Sequence, residues 1–228
     1  MAKATRQLLA RLRPGSQLAL PKPNGNQRTT WSLTALSGRL IELSSPGGSS
    51  ALTLAFSMVL DAQRAGEPVG WLTDNESNFF PPDAAQGGID LDALVVVKLA
   101  RLTASSQMPR AAEHLARSGA FGLLVLDLGE TAHVPVPMQM RLLALAKTHE
   151  SAVLFLTRKR SDTASLGTLI SLRAEASRTP VGHPAPTDTP AREASVSSFT
   201  CQAQILKDKR CGPGWTHVEV CRGPDGLR

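Results

Sequence analysis

Eight residues, Ser45-Pro46-Gly47-Gly48-Ser49-Ser50-Ala51-Leu52, have the make-up of a glycine-rich turn leading into a helix. Such a turn can hold phosphate. Its backbone N–H groups point at phosphate oxygens, a lysine neutralises charge, and a Ser or Thr hydroxyl binds magnesium. Against the pattern G-x-x-x-x-G-K-[ST], Ser45 stands for the first glycine, Ser50 for the second, Ala51 for the lysine and Leu52 for the hydroxyl residue. No Gly-Lys dipeptide occurs anywhere in the chain. A charged hydrogen bond to phosphate contributes about 1.5–3 kcal/mol, and the magnesium ligand is lost as well. The residues therefore predict a turn that keeps its shape without holding ATP, in a chain that is not an enzyme and carries no cofactor or metal.

Other groups could do chemistry only in company. Glu76 and Asp127 each follow an apolar run, and paired carboxylates at the ends of parallel strands are commonly catalytic or magnesium-linked. Without a phosphate site their ordinary role is to hydrogen-bond loop backbone. Lys207 and Lys209 alternate along a strand candidate, which puts two ammonium groups on one face where they could meet a phosphate or a carboxylate. The simpler reading is an edge strand protected by lysines. His114, His133, His149, His183 and His217 show no ligand spacing. Cys201, Cys211 and Cys221, ten residues apart, lack the close pairs of a zinc site and read as reduced thiols on or near strands.

These residues need a scaffold, and 228 residues with 42% hydrophobic content can bury one core. The apolar runs are too short for a spanning helix, and Met1 to Arg6 is not followed by an apolar signal segment. A cytoplasmic protein without a membrane partner is the expectation. Residues 1–30 carry six of the net positive charges with no acid, residues 201–228 carry +2, and the remainder is −2. Such a basic end can meet nucleic acid or an acidic protein surface. Within it Leu8, Leu9 and Leu12 share one helical face beside Arg11, so residues 3–13 read as a docking helix, followed by a linker through Pro21 to Asn26. The expected division is a basic segment over 1–30 and a core over 31–228.

From Gly38 onward, short apolar runs alternate with helical patterns. Strands are expected over 39–43, 69–73, 94–98, 121–127 and 151–157, and helices over 50–65, around 78–86, 106–118 and 137–149. Continuous apolar strands separated by helices indicate an α/β fold with a largely parallel sheet covered on both faces. After residue 160 no crossover helix fits. Runs at 168–174, 199–207 and 215–221 read as extra edge strands, and the Pro- and Ser-rich stretch from Ser177 to Ser198 reads as a mobile loop.

The motifs in order resemble the RecA recombinase core over most of residues 38–228. Gly38-Arg39-Leu40-Ile41-Glu42-Leu43, Pro46 and Leu52-Thr53-Leu54 are similar to that family's strand, phosphate loop and following helix. Leu72-Thr73-Asp74-Asn75-Glu76 resembles the strand end that carries the catalytic glutamate. Gly88-Ile89-Asp90-Leu91-Asp92-Ala93-Leu94 resembles the link into the next strand, and Leu123-Leu124-Val125-Leu126-Asp127 the Walker B strand. Ile205-Leu206-Lys207-Asp208-Lys209-Arg210 resembles the basic strand end that, in the recombinase filament, reaches the neighbouring subunit's ATP. Leu156-Thr157-Arg158 departs from the family's γ-phosphate sensor. The stretches 129–137 and 160–166, which correspond to its DNA-binding loops, are short, and the chain ends where that family's C-terminal domain would begin. Strand exchange is not expected.

This combination resembles the ImuA group, related to SulA-like proteins. The resemblance implies a RecA-related accessory protein of the SOS response, engaging RecA and the polymerase subunit ImuB, alongside an error-prone replicative polymerase in translesion mutagenesis, and nucleoid-associated when acting with RecA. Leu8, Leu9, Arg11, Leu12, Lys207, Lys209 and Arg210 are the expected partner-binding residues. A SulA-type cell-division inhibitor and an ATP-independent DNA-binding RecA paralogue are the alternatives, with weak DNA contact through the basic N-terminus as a secondary property.

Overall fold

A computed structural model describes residues 31–47, 49–74, 79–130, 132–180 and 198–222. Among the described residues eight strands form one sheet: β1 (Arg39–Ser44), β2 (Val69–Asp74), β3 (Leu94–Leu99), β4 (Leu123–Gly129), β5 (Ala152–Thr157), β6 (Leu172–Pro180), β7 (Ser198–Asp208) and β8 (Thr216–Arg222). Their spatial order is β3-β2-β4-β5-β1-β6-β7-β8. Pairings from β3 through β6 are parallel, whereas β6–β7 and β7–β8 are antiparallel. The helices are α1 (Leu33–Leu36), α2 (Ser49–Arg64), α3 (Pro81–Gln86), α4 (Arg101–Arg117) and α5 (Val136–His149).

The central strands β1 and β5 are buried along their whole length because both faces of the sheet are covered. That double cover explains their unbroken apolar runs. On one face Ile41, Leu43, Trp71, Val125, Leu154 and Ile205 pack under α2; on the other Leu40, Leu72, Leu124, Val153 and Phe155 pack under α4 and α5. Helix α2 contributes Leu54, Ala55, Met58, Val59 and Ala62, the i, i+4 and i+8 pattern of one helical stripe. It stops at Gly66, whose φ of +76° suits glycine. Glu67 N–H then donates to Ala62 O (2.9 Å) and Gly66 N–H to Gln63 O (3.0 Å), which satisfies the last carbonyls in a Schellman motif.

Close approach of α4 to the sheet depends on Gly70. A Cβ there would lie 2.7 Å from Leu124 Cδ2 and 3.5 Å from Leu115 Cδ1. Gly70→Val should overpack this layer and cost about 1–3 kcal/mol in a urea unfolding series, with the slope unchanged.

Two expectations need correction. The strand placed at 168–174 lies at Leu172–Pro180, and Ser177 to Pro180 belong to it rather than to a loop. Ser177 pairs with Gln202 and Pro180 with Phe199, so this end meets β7 and is exposed. A strand clothed only by another polar strand carries no apolar run, and its Ser, Arg, Thr and Pro residues read as loop. Likewise α4 begins at Arg101, five residues before its expected start, and includes Pro109. The expected docking helix, its residues Leu8, Leu9, Arg11 and Leu12, and the middle of the expected loop at 181–197 lie outside the described residues.

Candidate functional site

At the carboxyl end of β1 the chain turns through Pro46 and Gly47 into α2, the position of a phosphate loop. The hydroxyls of Ser44, Ser45 and Ser50 are already committed. Ser50 Oγ donates to Ala176 O at 3.1 Å. Its single proton is thereby used, so the 2.9 Å contact between Ser45 and Ser50 has Ser45 donating. Ser45 N–H donates to Thr157 O (3.0 Å), and Ser44 Oγ to Ala174 O (3.1 Å). The turn is laced to β5 and β6. Ala51 is buried beneath it and Leu52 packs against the α2-side core, so these two positions present methyl groups where a phosphate loop presents an ammonium and a hydroxyl.

Next to the turn lies a buried polar centre. Glu42, fully enclosed on β1, stands opposite Arg173 of β6 in the parallel register. Arg173 Nε lies 4.0 Å from Glu42 Oε2, and Lys159 Nζ lies 3.6 Å from Oε1. Ser165 Oγ (2.8 Å) and Leu166 N–H (2.9 Å) donate to Oε2, while Thr157 Oγ1 donates to Oε1 at 3.4 Å. The Arg173 guanidinium also donates to the carbonyls of Thr163 and Arg160. The loop after β5 is therefore fastened over the sheet by one carboxylate and one guanidinium. Its sequence signal was a charge in the middle of the apolar run Leu40-Ile41-Glu42-Leu43, since an acid in such a place is almost never buried without partners.

Lys207 and Lys209 reach the same loop. Lys209 Nζ donates to Thr168 O at 2.5 Å and Lys207 Nζ approaches Gly167 O at 3.5 Å. Simple alternation would put Lys207 on the face of Ile205, inside the α2-side core. A register shift opposite Arg173 and Ala174 prevents this, because Arg173 pairs with Lys207 while Ala174 pairs with Ile205. The extra residue, Leu206, is a β-bulge that re-aims the strand end. Burial, then the neighbouring charge of Lys209, holds the Lys207 ammonium below its ordinary pKa. Lys209 is exposed, and β8 pairs only with Ser198 to Gln204, so the lysine end of β7 projects past the last strand.

Asp208 points the other way and is buried. It forms a 2.6 Å ion pair with Arg39, whose side chain is 4% exposed. Arg39 also donates from Nε to Ser171 Oγ (2.9 Å) and from Nη2 to Ser171 O (3.0 Å). Arg210 N–H and Trp215 Nε1–H complete the shell of Asp208. Burial raises the Asp208 carboxyl, but the Arg210 N–H and the bond and charge of Arg39 outweigh it and hold the group below the usual carboxylate range. The Arg210 guanidinium donates to Ala35 O (3.3 Å) and Ser37 O (3.2 Å), at the last turn of α1.

Glu76 lies outside the described residues, and Asp127 stands on β4 opposite Leu156. The histidine spread hid one cluster. Ser57 Oγ (2.7 Å) and His217 Nε2 (2.6 Å) both meet Glu219 Oε1, with Trp31 stacked on the imidazole. Glutamate occupies the middle, so the histidine does not touch the serine and cannot take its proton; the arrangement fastens α2 to β8. Cys201 and Cys221 are free thiols on the same face of β7 and β8, and Cys211 is exposed. The neighbouring Cys221 thiol brings Cys201 down to about 7 against the opposing effect of burial. Among the described residues no cluster of three or more His, Cys, Asp or Glu could hold a metal, and no helix is long and apolar enough to cross a membrane.

A largely parallel sheet with helices on both faces, a strand–turn–helix at the carboxyl end of β1 and antiparallel strands added beyond β6 define an α/β protein with a RecA-like core. The chain is similar to protein RecA of Nocardioides sp., with 34% identity over 120 residues, 48% of this chain and 33% of that one. It is also similar to protein RecA of Clostridium beijerinckii, 34% identical over 90 residues, 40% of this chain and 24% of the relative. The matched region thus spans a third or less of the length of these two relatives. No protein-family model matches the chain.

Proposed function

We propose that this chain is a non-catalytic, RecA-related accessory protein of the ImuA kind, which binds RecA and the ImuB polymerase subunit during SOS translesion mutagenesis. It meets RecA as a filament neighbour would. The observation that carries this reading is the end of β7, where a bulge turns Lys207 and Lys209 together onto one side, beyond β8, on a RecA-like core. Two ammonium groups at that place suit the phosphates of nucleotide held by another subunit. The chain's own turn supplies hydroxyls bonded to each other and to β6, with Ala51 and Leu52 in place of the groups that bind ATP and magnesium. Such a subunit joins a filament end and does not follow its nucleotide cycle.

The test is capture of RecA and of ImuB on the immobilised chain, with ATP present. Lys207→Ala/Lys209→Ala should weaken RecA capture about tenfold, in line with the loss of charged contacts at a partly exposed site. Deletion of residues 1–20 should weaken it as well. Unchanged RecA capture by both variants removes the proposed surfaces. Magnesium-dependent ATP binding by the isolated chain would overturn the non-catalytic reading.

A further inference from the structure

Strand β8 ends the sheet, and among the described residues no strand pairs with its outer side. Unpaired edges are usually blunted by lysine, proline or a bulge. Here the run Thr216-His217-Val218-Glu219-Val220-Cys221-Arg222 has no lysine or proline, its charged residues are Glu219, bonded on the α2 side, and Arg222 at the strand's end, and its pairing with β7 runs without a register shift. Two of its residues, Val218 (55% exposed) and Val220 (74% exposed), are among the most exposed large apolar side chains. They lie on the face opposite the α2-side cluster formed with His217 and Glu219. Strand β7 continues that exposed face with uncharged residues, Thr200 opposite Val220 and Gln202 opposite Val218. An open backbone ladder beside a row that is uncharged from Thr216 to Val220 is a surface made for another strand.

We infer that the occupant is β8 of a second copy of this chain, paired antiparallel about a twofold axis through Val218. The charges select both the partner and the register. In an antiparallel pair, opposite residues share a face, so a symmetric dimer must centre on one residue. Centring on Glu219 sets two carboxylates directly opposite each other, which is unfavourable. Centring on Val220 leaves each Glu219 opposite Cys221. Centring on Val218 sets His217 of each copy opposite Glu219 of the other, twice by symmetry, and stacks Val218 on Val218 with Val220 against Thr216. Ser57 and His217 of the same chain both bond Glu219 Oε1, so the copy's imidazole, its Nε2 taken by its own Glu219, would meet the second carboxylate oxygen through Nδ1. The two sheets join into one through the dimer, and the Lys207/Lys209 end, which lies beyond β8, stays open.

The full chain followed by sedimentation velocity over a concentration series should show a reversible monomer–dimer equilibrium. Val218→Lys and Val218→Glu should each raise the dimer dissociation constant about tenfold or more, because like charges then face each other at the centre. An equimolar mixture of the two variants should recover the dimer, since lysine then opposes glutamate. Val95→Lys, on exposed β3 at the other edge, should leave the equilibrium unchanged. Both positions are exposed, and circular dichroism checks that each variant is folded. A wild-type chain that stays monomeric at its highest soluble concentration overturns the inference. So do Val218 variants that dimerise like the wild type, a mixture that stays monomeric, or a Val95 variant that weakens the dimer. None of these outcomes bears on RecA capture.

Discussion

Glu42→Ala should lower the free energy of unfolding by about 3–5 kcal/mol, a large share of what a domain of this size possesses. The substitution removes a buried carboxylate and leaves Arg173 and Lys159, 7% and 15% exposed, beside an apolar gap. It also strands the Leu166 N–H and the Ser165 hydroxyl that Glu42 accepts from. A buried ion pair contributes little compared with a good apolar packing, whereas breaking one leaves an uncompensated charge. The paired change Glu42→Leu/Arg173→Met should therefore recover most of the loss, even though it removes two of the three charged groups and leaves only Lys159, the more exposed of the two cations. Urea unfolding of the single and paired variants separates the two accounts. If the paired variant is as unstable as Glu42→Ala, the cost comes from lost hydrogen bonds in the loop after β5 or from Lys159, and not from an orphaned Arg173.

The parallel half of the sheet was legible because burial on both faces writes continuous apolar runs, as in Leu40-Ile41 and Val153-Leu154-Phe155-Leu156, and because Gly66 and Gly119 mark where helices stop. The antiparallel half was less legible. Residues Ser177 to Pro180 are strand only because β7 lies beside them, and nothing in their own composition favours that state over a loop. The candidate site divides in the same way. Loss of the phosphate-loop groups at Ala51 and Leu52 is a matter of residue identity and can be read directly. The commitment of Ser50 to Ala176 O, and through Ser50 that of Ser45, depends on β6, more than 120 residues away along the chain, and cannot. The shared face of Lys207 and Lys209 was expected from alternation, but the bulge at Leu206 decides which face it is. The Arg39–Asp208 pair joins residues 169 apart in sequence and left no local trace.

That pair carries the second large effect. Asp208→Asn should cost about 3–5 kcal/mol at neutral pH, because Arg39 remains buried with no carboxylate to face. The amide keeps the size of the side chain and an oxygen for the Arg210 N–H, so packing changes little and the lost charge dominates. The pH dependence follows from the direction of the shift. The folded Asp208 is held below its ordinary value, so its contribution to stability is fully present above the unfolded pKa of about 3.9. It is lost as the pH falls through the lower folded value, where the wild-type carboxyl takes up a proton. The gap between wild type and Asp208→Asn should therefore be constant from about pH 7 to pH 5 and shrink steadily below about pH 4. Thermal or urea unfolding across that range measures it, and a gap that does not narrow in acid would mean the ion pair is not its source. Asp208 also lies between Lys207 and Lys209 and holds the turn after β7 through Arg210 N–H and Trp215 Nε1–H. The acid-sensitive pair thus holds in place the strand end that the Leu206 bulge has re-aimed, and on the proposed function a chain that has lost it should capture RecA more weakly even where both lysines are intact.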